Sequence, residues 1–529
     1  MLKTLIAVQL RGAWAGVLNT GAATRHKKTV AVLLGALVVY AAGCMVFLMA
    51  ITFAALCAPL AEAGLAWLYF AVAAGTAAAA ICLLGMLTAQ QSLFSARDNE
   101  LLLSLPVPPR LILLSRMAGL LLMAYLTGAA VFVPAGVVWK RTAGFAPAAL
   151  VCFVLGALAV PLGALALACL LGWLLAALAA RARHKALFTT AASFLLLGGY
   201  LYGTSRISGS VTHLAASAAA AAPALQSRGA LLYWTGRALA GHAGALAVLA
   251  AVCAAGFGLV YACLSASFYR IAAPRGGARR IVYRETRGAV RRPAAALLAQ
   301  ELRHFGACPS WIVNGGFGAV MALGGGIALL LSPQLKGQLA ASLPASLPAA
   351  VLLGAGMSFC TAMCTISSAA VSLEAKTRWV LQTAPVPASL VLAAMTELQL
   401  VIAVPAAVLG TLAGGAGMGL SAAETGAALL AVLACTVFCA AFDMMCGVLL
   451  PYFQWLNETQ AVKQSMAVLA AIFAGMAVVF APAAAYALWL YPFMSGAAFE
   501  LACAAVYAAA AVPVWLWLRR AGAARFARL

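Results

Sequence analysis

The sequence predicts an all-α polytopic membrane protein with about twelve spanning helices, set out as two parallel six-helix halves. Composition, the spacing of apolar runs and an internal repeat predict it. Of 529 residues, 66% are hydrophobic and 8% charged, and the mean hydropathy is +1.04. A soluble chain carries about 25% charged residues and about 45–50% apolar ones. So few charges cannot cover a soluble core of this size. A soluble enzyme, a secreted disulfide scaffold and a disordered chain are therefore excluded. The bilayer is the remaining solvent, and a helix crosses it with about 20 apolar residues.

Apolar runs bounded by charges or turn signals place the spans at 29–57, 66–90, 111–137, 147–180, 186–204, 243–268, 311–332, 348–372, 389–415, 425–450, 465–490 and 496–518. The first run is too long for the apolar core of a signal peptide and reads as a retained span. The 147–180 run contains Pro161, which predicts a tilted or broken helix. The segment 205–242, with Tyr233, Trp234, Arg237 and His242, reads as an outer interfacial or re-entrant stretch.

Charge sets the orientation. The chain holds 33 Lys and Arg against 11 Asp and Glu, a net +22. In a soluble protein that excess points to nucleic acid. In a polytopic chain it marks cytoplasmic loops. With the N-terminus inside, 27 of the 33 basic residues fall on inside segments and 6 on outside ones. This is the positive-inside bias, and it predicts both termini in the cytoplasm. The most basic inside loop contains Arg275, Arg279, Arg280, Arg284, Arg287, Arg291 and Arg292. It reads as a linker drawn to anionic headgroups, with no nucleic-acid partner. It divides the chain into a first half at 1–268, a linker at 269–296 and a second half at 297–529.

The halves echo one another. Residues 92–116, after the second span, align without gaps on the segment after the eighth, with Pro106, Val107 and Pro108 on Pro385, Val386 and Pro387. Leu102 falls on Leu381, Ser104 on Thr383 and Arg97 on Lys376. Upstream, LIAVQLR at 5–11 echoes LLAQELR at 297–303, each just before the first span of a half. Both halves start on the same side, so the repeat is parallel, about an axis along the membrane normal.

Each repeated loop runs from a polar segment into a short amphipathic stretch that a Pro-x-Pro stops. In the first, Ser95 and Asp98 form a capping-box candidate, Leu101, Leu102, Leu103 and Leu105 supply an apolar face, and Pro106 ends the helix. In the second, Glu374, Lys376 and Arg378 precede Trp379, Val380 and Leu381, and Pro385 ends it. A plain connecting turn is the simpler reading. Recurrence at the same place in both halves favours a docking surface on the inner face.

With these segments in view, the chain resembles the ABC-2-type exporter permeases. RDNELLLSLPVPP and LEAKTRWVLQTAPVP are similar to the acidic-Leu-Leu-x-x-x-Pro coupling helices of that family. The L-x-A-x-x-L-R segments resemble the amphipathic connecting helix that precedes its first span. The sharp likeness covers about 60 residues, and topology carries the rest. The chain departs from the commoner half-size permeases by fusing two halves, and Thr377 and Trp379 stand opposite Asp98 and Glu100. The resemblance implies a transport subunit, not an enzyme, with no catalytic residue and no cofactor of its own. A separate ABC ATPase, in two copies, would bind ATP and Mg²⁺ and push on Arg97, Asp98, Glu100, Leu103, Pro106 and Pro108 in the first loop. In the second it would push on Glu374, Lys376, Arg378, Trp379, Pro385 and Pro387. The expected location is the bacterial plasma membrane. The residues agree on one point: no Lys follows a Gly anywhere, so no P-loop can form.

Two rivals rest on other residues. A secondary, ion-coupled transporter needs charged sites inside the spans, and Glu397 and Asp443 are the candidates, as a gating pair, a substrate contact or a structural hydrogen bond. Arg116 reads as a snorkelling residue, and Glu62 and Glu500 as solvated near the outer surface. A membrane-embedded lipid transferase needs clustered carboxylates or a general base, and the eleven acids are dispersed. No metal site is expected. Cys360 with Cys364, and Cys435 with Cys439, share helical faces, which suits packing at helix contacts better than soft-metal binding. The 14 Cys include no C-x-x-C and the five His show no second ligand at metal spacing.

Overall fold

The computed structural model describes residues 27–89, 106–182, 188–196, 230–272, 292–332, 347–375, 377–455, 458–463 and 465–529, with isolated positions between them. All regular structure among them is helical. Ten helices are long and apolar enough to cross a membrane, and a bent pair raises the number to eleven. The chain is therefore a multi-pass membrane protein in composition and helix length. The remaining expected span, 186–204, lies only partly within the described residues.

Contacts divide the chain into two compact units. The first contains α1 (Lys27–Glu62), α2 (Ala66–Ala89), α3 (Pro109–Thr142), α4 (Pro147–Arg181), α5 (Ala230–Leu239) and α6 (Ala243–Ala272). Its core is aromatic. Tyr69 and Phe70 of α2 meet Trp139 of α3 at ring distances of 4.9 and 5.0 Å, and Phe70 meets Phe153 of α4 at 5.4 Å. The Tyr69 hydroxyl donates to the Ala135 carbonyl at 2.8 Å, so the ring stays buried without an unpaired polar atom. Of the two outcomes expected at Pro161, a tilt or a break, the break does not occur: α4 passes through it as one helix. The proline ring packs on Gly128 of α3, where an added Cβ would stand 2.9 Å from its Cγ. Glycine here gives the space that the ring fills.

The second unit contains α7 (Pro293–Ala307), α8 (Pro309–Gly315), α9 (Phe317–Leu331), α10 (Ala349–Ala362), α11 (Ile366–Leu373), α12 (Arg378–Thr383), α13 (Ala388–Met418), α14 (Ala422–Leu449), α15 (Glu458–Lys463), α16 (Met466–Ala485) and α17 (Gly496–Trp517). α17 continues through a π-helical turn into α18 (Ala523–Phe526). The 311–332 run is bent by 51° between α8 and α9, and the 348–372 run is interrupted between α10 and α11 at 363–365. Local chemistry sets the boundaries. α13 stops at Gly419, whose φ of 71° suits a residue without a Cβ. Two residues later Ser421 and Glu424 form a complete capping box and start α14.

Small residues set the closest approach. An added Cβ on Gly326 of α9 would fall on the backbone of Gly410 in α13, and one on Gly417 would stand 2.6 Å from the Leu329 carbonyl. α9 and α13 therefore touch backbone to backbone, as small residues allow in a bilayer.

Candidate functional site

The repeated Pro-Val-Pro segments fold alike. Pro108 precedes α3 with φ −55° and ψ 128°, and Pro387 precedes α13 with φ −63° and ψ 137°. Each carbonyl accepts from the N–H three residues on, Leu111 or Leu390, at 2.9 Å. Pro106, Pro108, Pro385 and Pro387 face outward, and Val107 and Val386 pack inward. Leu102 and Leu381 also turn to their cores, and Ser104 and Thr383 outward. Arg97, Asp98, Glu100 and Leu103 of the first loop, the Ser95 cap and Lys376 of the second lie outside the described residues.

The second loop can be built residue by residue. α12 is a single short helix, anchored on one side and bare on the other. Leu381 is its buried anchor at 5% exposure, whereas Trp379 is 65% and Val380 46% exposed. The Arg378 guanidinium lies 4.2 Å from the centre of the Phe453 ring, a cation–π contact. Its Nε and Nη1 have no hydrogen-bond partner among the described residues. Gln382 Nε2 donates to the Phe526 carbonyl at 3.0 Å, tying the loop to α18. Arg525 of α18 donates to the Val448 and Leu449 carbonyls, both at 3.2 Å, and so caps the end of α14.

α7 holds the other side of the loop. Leu297, Glu301 and Phe305 recur every four residues, and all three are buried. Glu301 thus puts a carboxylate on an apolar stripe. One turn on, His304 Nδ1 meets Glu374 Oε1 at 3.0 Å, and the Thr377 hydroxyl donates to the other Glu374 oxygen. The His304 and Phe305 rings both meet the edge of Trp311 at 5.3 Å. Trp311 is itself fixed, its Nε1 donating to the Ile366 carbonyl at 3.2 Å. Cys308 and Ser310 reach Glu458 and Thr459 of α15 at 2.9 and 3.0 Å. Helix, loop and span ends are therefore clamped by one polar junction.

The sequence marks Glu374 but neither its partner His304 nor the neighbouring Glu301 on α7. No histidine is expected to find a second ligand at short metal spacing; His304 pairs instead with Glu374, 70 positions away. Glu301 and His304 stand at i and i+3 on one face, a pattern visible in the sequence had it been weighed.

The surroundings perturb all three groups. Burial, then the Glu374 charge, push the Glu301 carboxyl up to about 7, with His304 opposing. The hydrogen bond to Glu374 raises His304, against burial, and the Glu374, Glu301 and Glu458 charges add to it. Burial would raise Glu374, yet hydrogen bonds from His304 and Thr377 hold it below its ordinary value. The signs fix a pH dependence. The His304 contribution is complete below pH 6.5 and lost as pH rises through its raised value. The Glu301 contribution is lost between about 4.5 and 7 for the same reason. The Glu374 contribution is present above 4.5 and lost as pH falls through its lowered value. In chelator-treated protein the junction is therefore expected to weaken from pH 6 to pH 8.5. Thermal unfolding in detergent at both values reads it. The drop should shrink in Glu301→Gln, and an equal drop in that variant contradicts the assignment.

Among the described residues, no hydrogen bond or ion pair joins the two charges placed inside the spans. Asp443 of α14 is 1% exposed and accepts from Gln399 Nε2 of α13 at 2.8 Å, while Gln399 Oε1 accepts from the Ser367 N–H at 2.8 Å. Glu397 is half-buried. Two residues turn a helix by about 200°, so Glu397 and Gln399 point to opposite sides of α13. Two expectations are corrected outright. Arg116 does not snorkel but is buried at 6% exposure and partnered. Glu500 is not solvated but buried at 3%, its carboxylate occupying the space a Cβ on Gly354 would need. Glu62 is exposed. The Cys435 and Cys439 sulfurs are 3.9 Å apart within a packed core.

No family model and no curated protein matches the chain.

Proposed function

We propose that this chain is the membrane-spanning permease subunit of an ATP-driven exporter of ABC-2 type. Its two halves are moved by two copies of a separate ATPase that hold the ATP and Mg²⁺. One observation carries the reading. Residues 378–387 present Trp379, Val380 and Pro385 outward from a base anchored by Leu381, Arg378 and Gln382. Such a surface suits a protein partner, because aromatic residues ringed by polar ones dominate binding at interfaces. The same Pro-Val-Pro geometry at 106–108 supports a second, related contact. The sequence holds no Gly-Lys pair for a P-loop, which agrees with a reading in which a partner hydrolyses the ATP. The basic bias supports a cytoplasmic position for both termini and both docking segments in this reading. The docked ATPases would press on the ends of α3, α12 and α13, which lead directly into spans, and so alternate the path for substrate.

Affinity purification of the tagged full chain from its native cells in mild detergent tests this. The expected result is a P-loop ATPase at two copies per chain, lost when 97–105 and 374–382 are scrambled in a correctly inserted variant. A chain that elutes without an ATPase in several detergents overturns the reading. It would shift the assignment to an ion-coupled transporter using Asp443 and Glu397.

A further inference from the structure

We propose that Glu301, His304 and Glu374 form a binding site for one divalent transition cation of the zinc class, pinning α7 to the segment that follows α11. This site does not depend on the permease reading. One donor atom from each residue lies within 4.8 Å of the other two. His304 Nδ1 and Glu374 Oε1 are already 3.0 Å apart. Ligands about 2.0–2.2 Å from a tetrahedral zinc ion are separated by about 3.4 Å, so small side-chain movements complete the triangle.

Glu301 is the decisive residue. It is 2% exposed, and its Oε2 has no hydrogen-bond partner among the described residues. A buried carboxylate oxygen without a partner is costly, and a cation at the centre of this cluster would satisfy it. Glu301 and His304 also present the Glu-x-x-His spacing that puts a carboxylate and an imidazole on one helix face for metal binding. The third ligand comes from a different segment, so the ion would bridge two elements rather than decorate one.

The donors select the metal. Two carboxylates and a neutral imidazole balance a dication to zero net charge, which suits a buried site. Calcium takes six to eight oxygen ligands, and magnesium keeps an octahedral, water-rich shell. One nitrogen and two oxygens, with a fourth position open, suit zinc or cobalt. The His304 side chain is 34% exposed, so solvent can reach that fourth position and the ion has an entry path. Outer contacts that orient ligands are also present. The Thr377 hydroxyl holds the far oxygen of Glu374, and the Trp311 ring packs edge-on against the His304 ring.

The full chain, purified in detergent and stripped with chelator, would be titrated with Co²⁺ and followed by its visible ligand-field absorption. The expected result is saturation at one Co²⁺ per chain, displacement by Zn²⁺, and a higher unfolding temperature in the presence of metal. His304→Ala and Glu374→Gln should abolish all three. Glu301→Gln keeps the side chain's shape and should weaken Co²⁺ binding at least tenfold, which decides the matter if either other variant fails to fold. No saturable binding at equimolar metal overturns the proposal. So does binding of undiminished affinity in the variants, or sulfur-to-cobalt absorption that persists in them, which would place the ion on cysteines.

Discussion

Gly326→Ala is expected to unseat α9 from α13, whereas Gly324→Ala, two residues away on the same helix, is expected to stabilise it. An added Cβ at 326 falls on the backbone of Gly410, and at 324 nothing lies within 4 Å. Backbone cannot rotate away as a side chain can, so one methyl group forces the two helices apart. Overpacking of this kind costs about 1–3 kcal/mol, and the backbone obstacle places this case at the top of that range. At 324 only the intrinsic preference of a helix for alanine over glycine remains, worth about 1 kcal/mol in favour. Gly410→Ala should match Gly326→Ala, because its Cβ would meet the Ala322 carbonyl. Thermal unfolding of the purified variants in detergent reads all three. Equal midpoints for the 324 and 326 variants would show that α9 and α13 do not pack through this contact.

The same pair shows what was legible in the sequence. Helix positions were, because hydropathy is a property of each run: the expected span at 389–415 lies within the observed Ala388–Met418, and the one at 425–450 overruns the observed Ala422–Leu449 by a single residue. Breaks inside runs were not. The bend between α8 and α9 falls at Gly316, yet the chain has 48 Gly and few of them bend anything. Nor could the sequence say which glycines face a neighbour, since Gly324 and Gly326 differ only in the side of α9 they occupy. Pro161 leaves α4 unbroken. Its ring packs beside Gly128 of α3, which has no Cβ to obstruct it.

The polar residues follow a similar rule. The short loop helix ending before Pro385 was legible from local order, because charge, apolar face and Pro-x-Pro lie within fifteen positions. Its clamp was not, because Glu374 finds His304 across 70 residues and Gln382 finds Phe526 across 144. Asp443 was singled out as a charge among apolar residues, but its partner proved to be Gln399, an uncharged amide that a search for charges passes over. Glu500 looked solvated because it lies near the start of its helix, and only the glycine at 354 makes room for it inside.

If α12 docks an ATPase as proposed, Trp379→Asp, alone or with Val380→Asp, releases that ATPase while leaving the chain folded. The two halves of that statement rest on different atoms. Trp379 is 65% exposed, so little core is lost with its ring. Leu381, 5% exposed and part of the core cluster with Phe305, Trp311 and Leu373, keeps α12 in place. A tryptophan at the centre of an interface contributes about 2 kcal/mol or more, which is roughly thirty-fold in affinity. A carboxylate forced into the same apolar contact adds its own desolvation cost. Leu381→Asp supplies the contrast, since it should lower the unfolding temperature as well as release the partner. Size-exclusion profiles, unfolding midpoints and ATPase recovery on the same preparations separate the two effects. A Trp379→Asp chain that folds and still recovers the ATPase at wild-type stoichiometry would remove this loop from the docking surface. The contact would then fall to the first loop, whose Pro106 and Pro108 are also exposed.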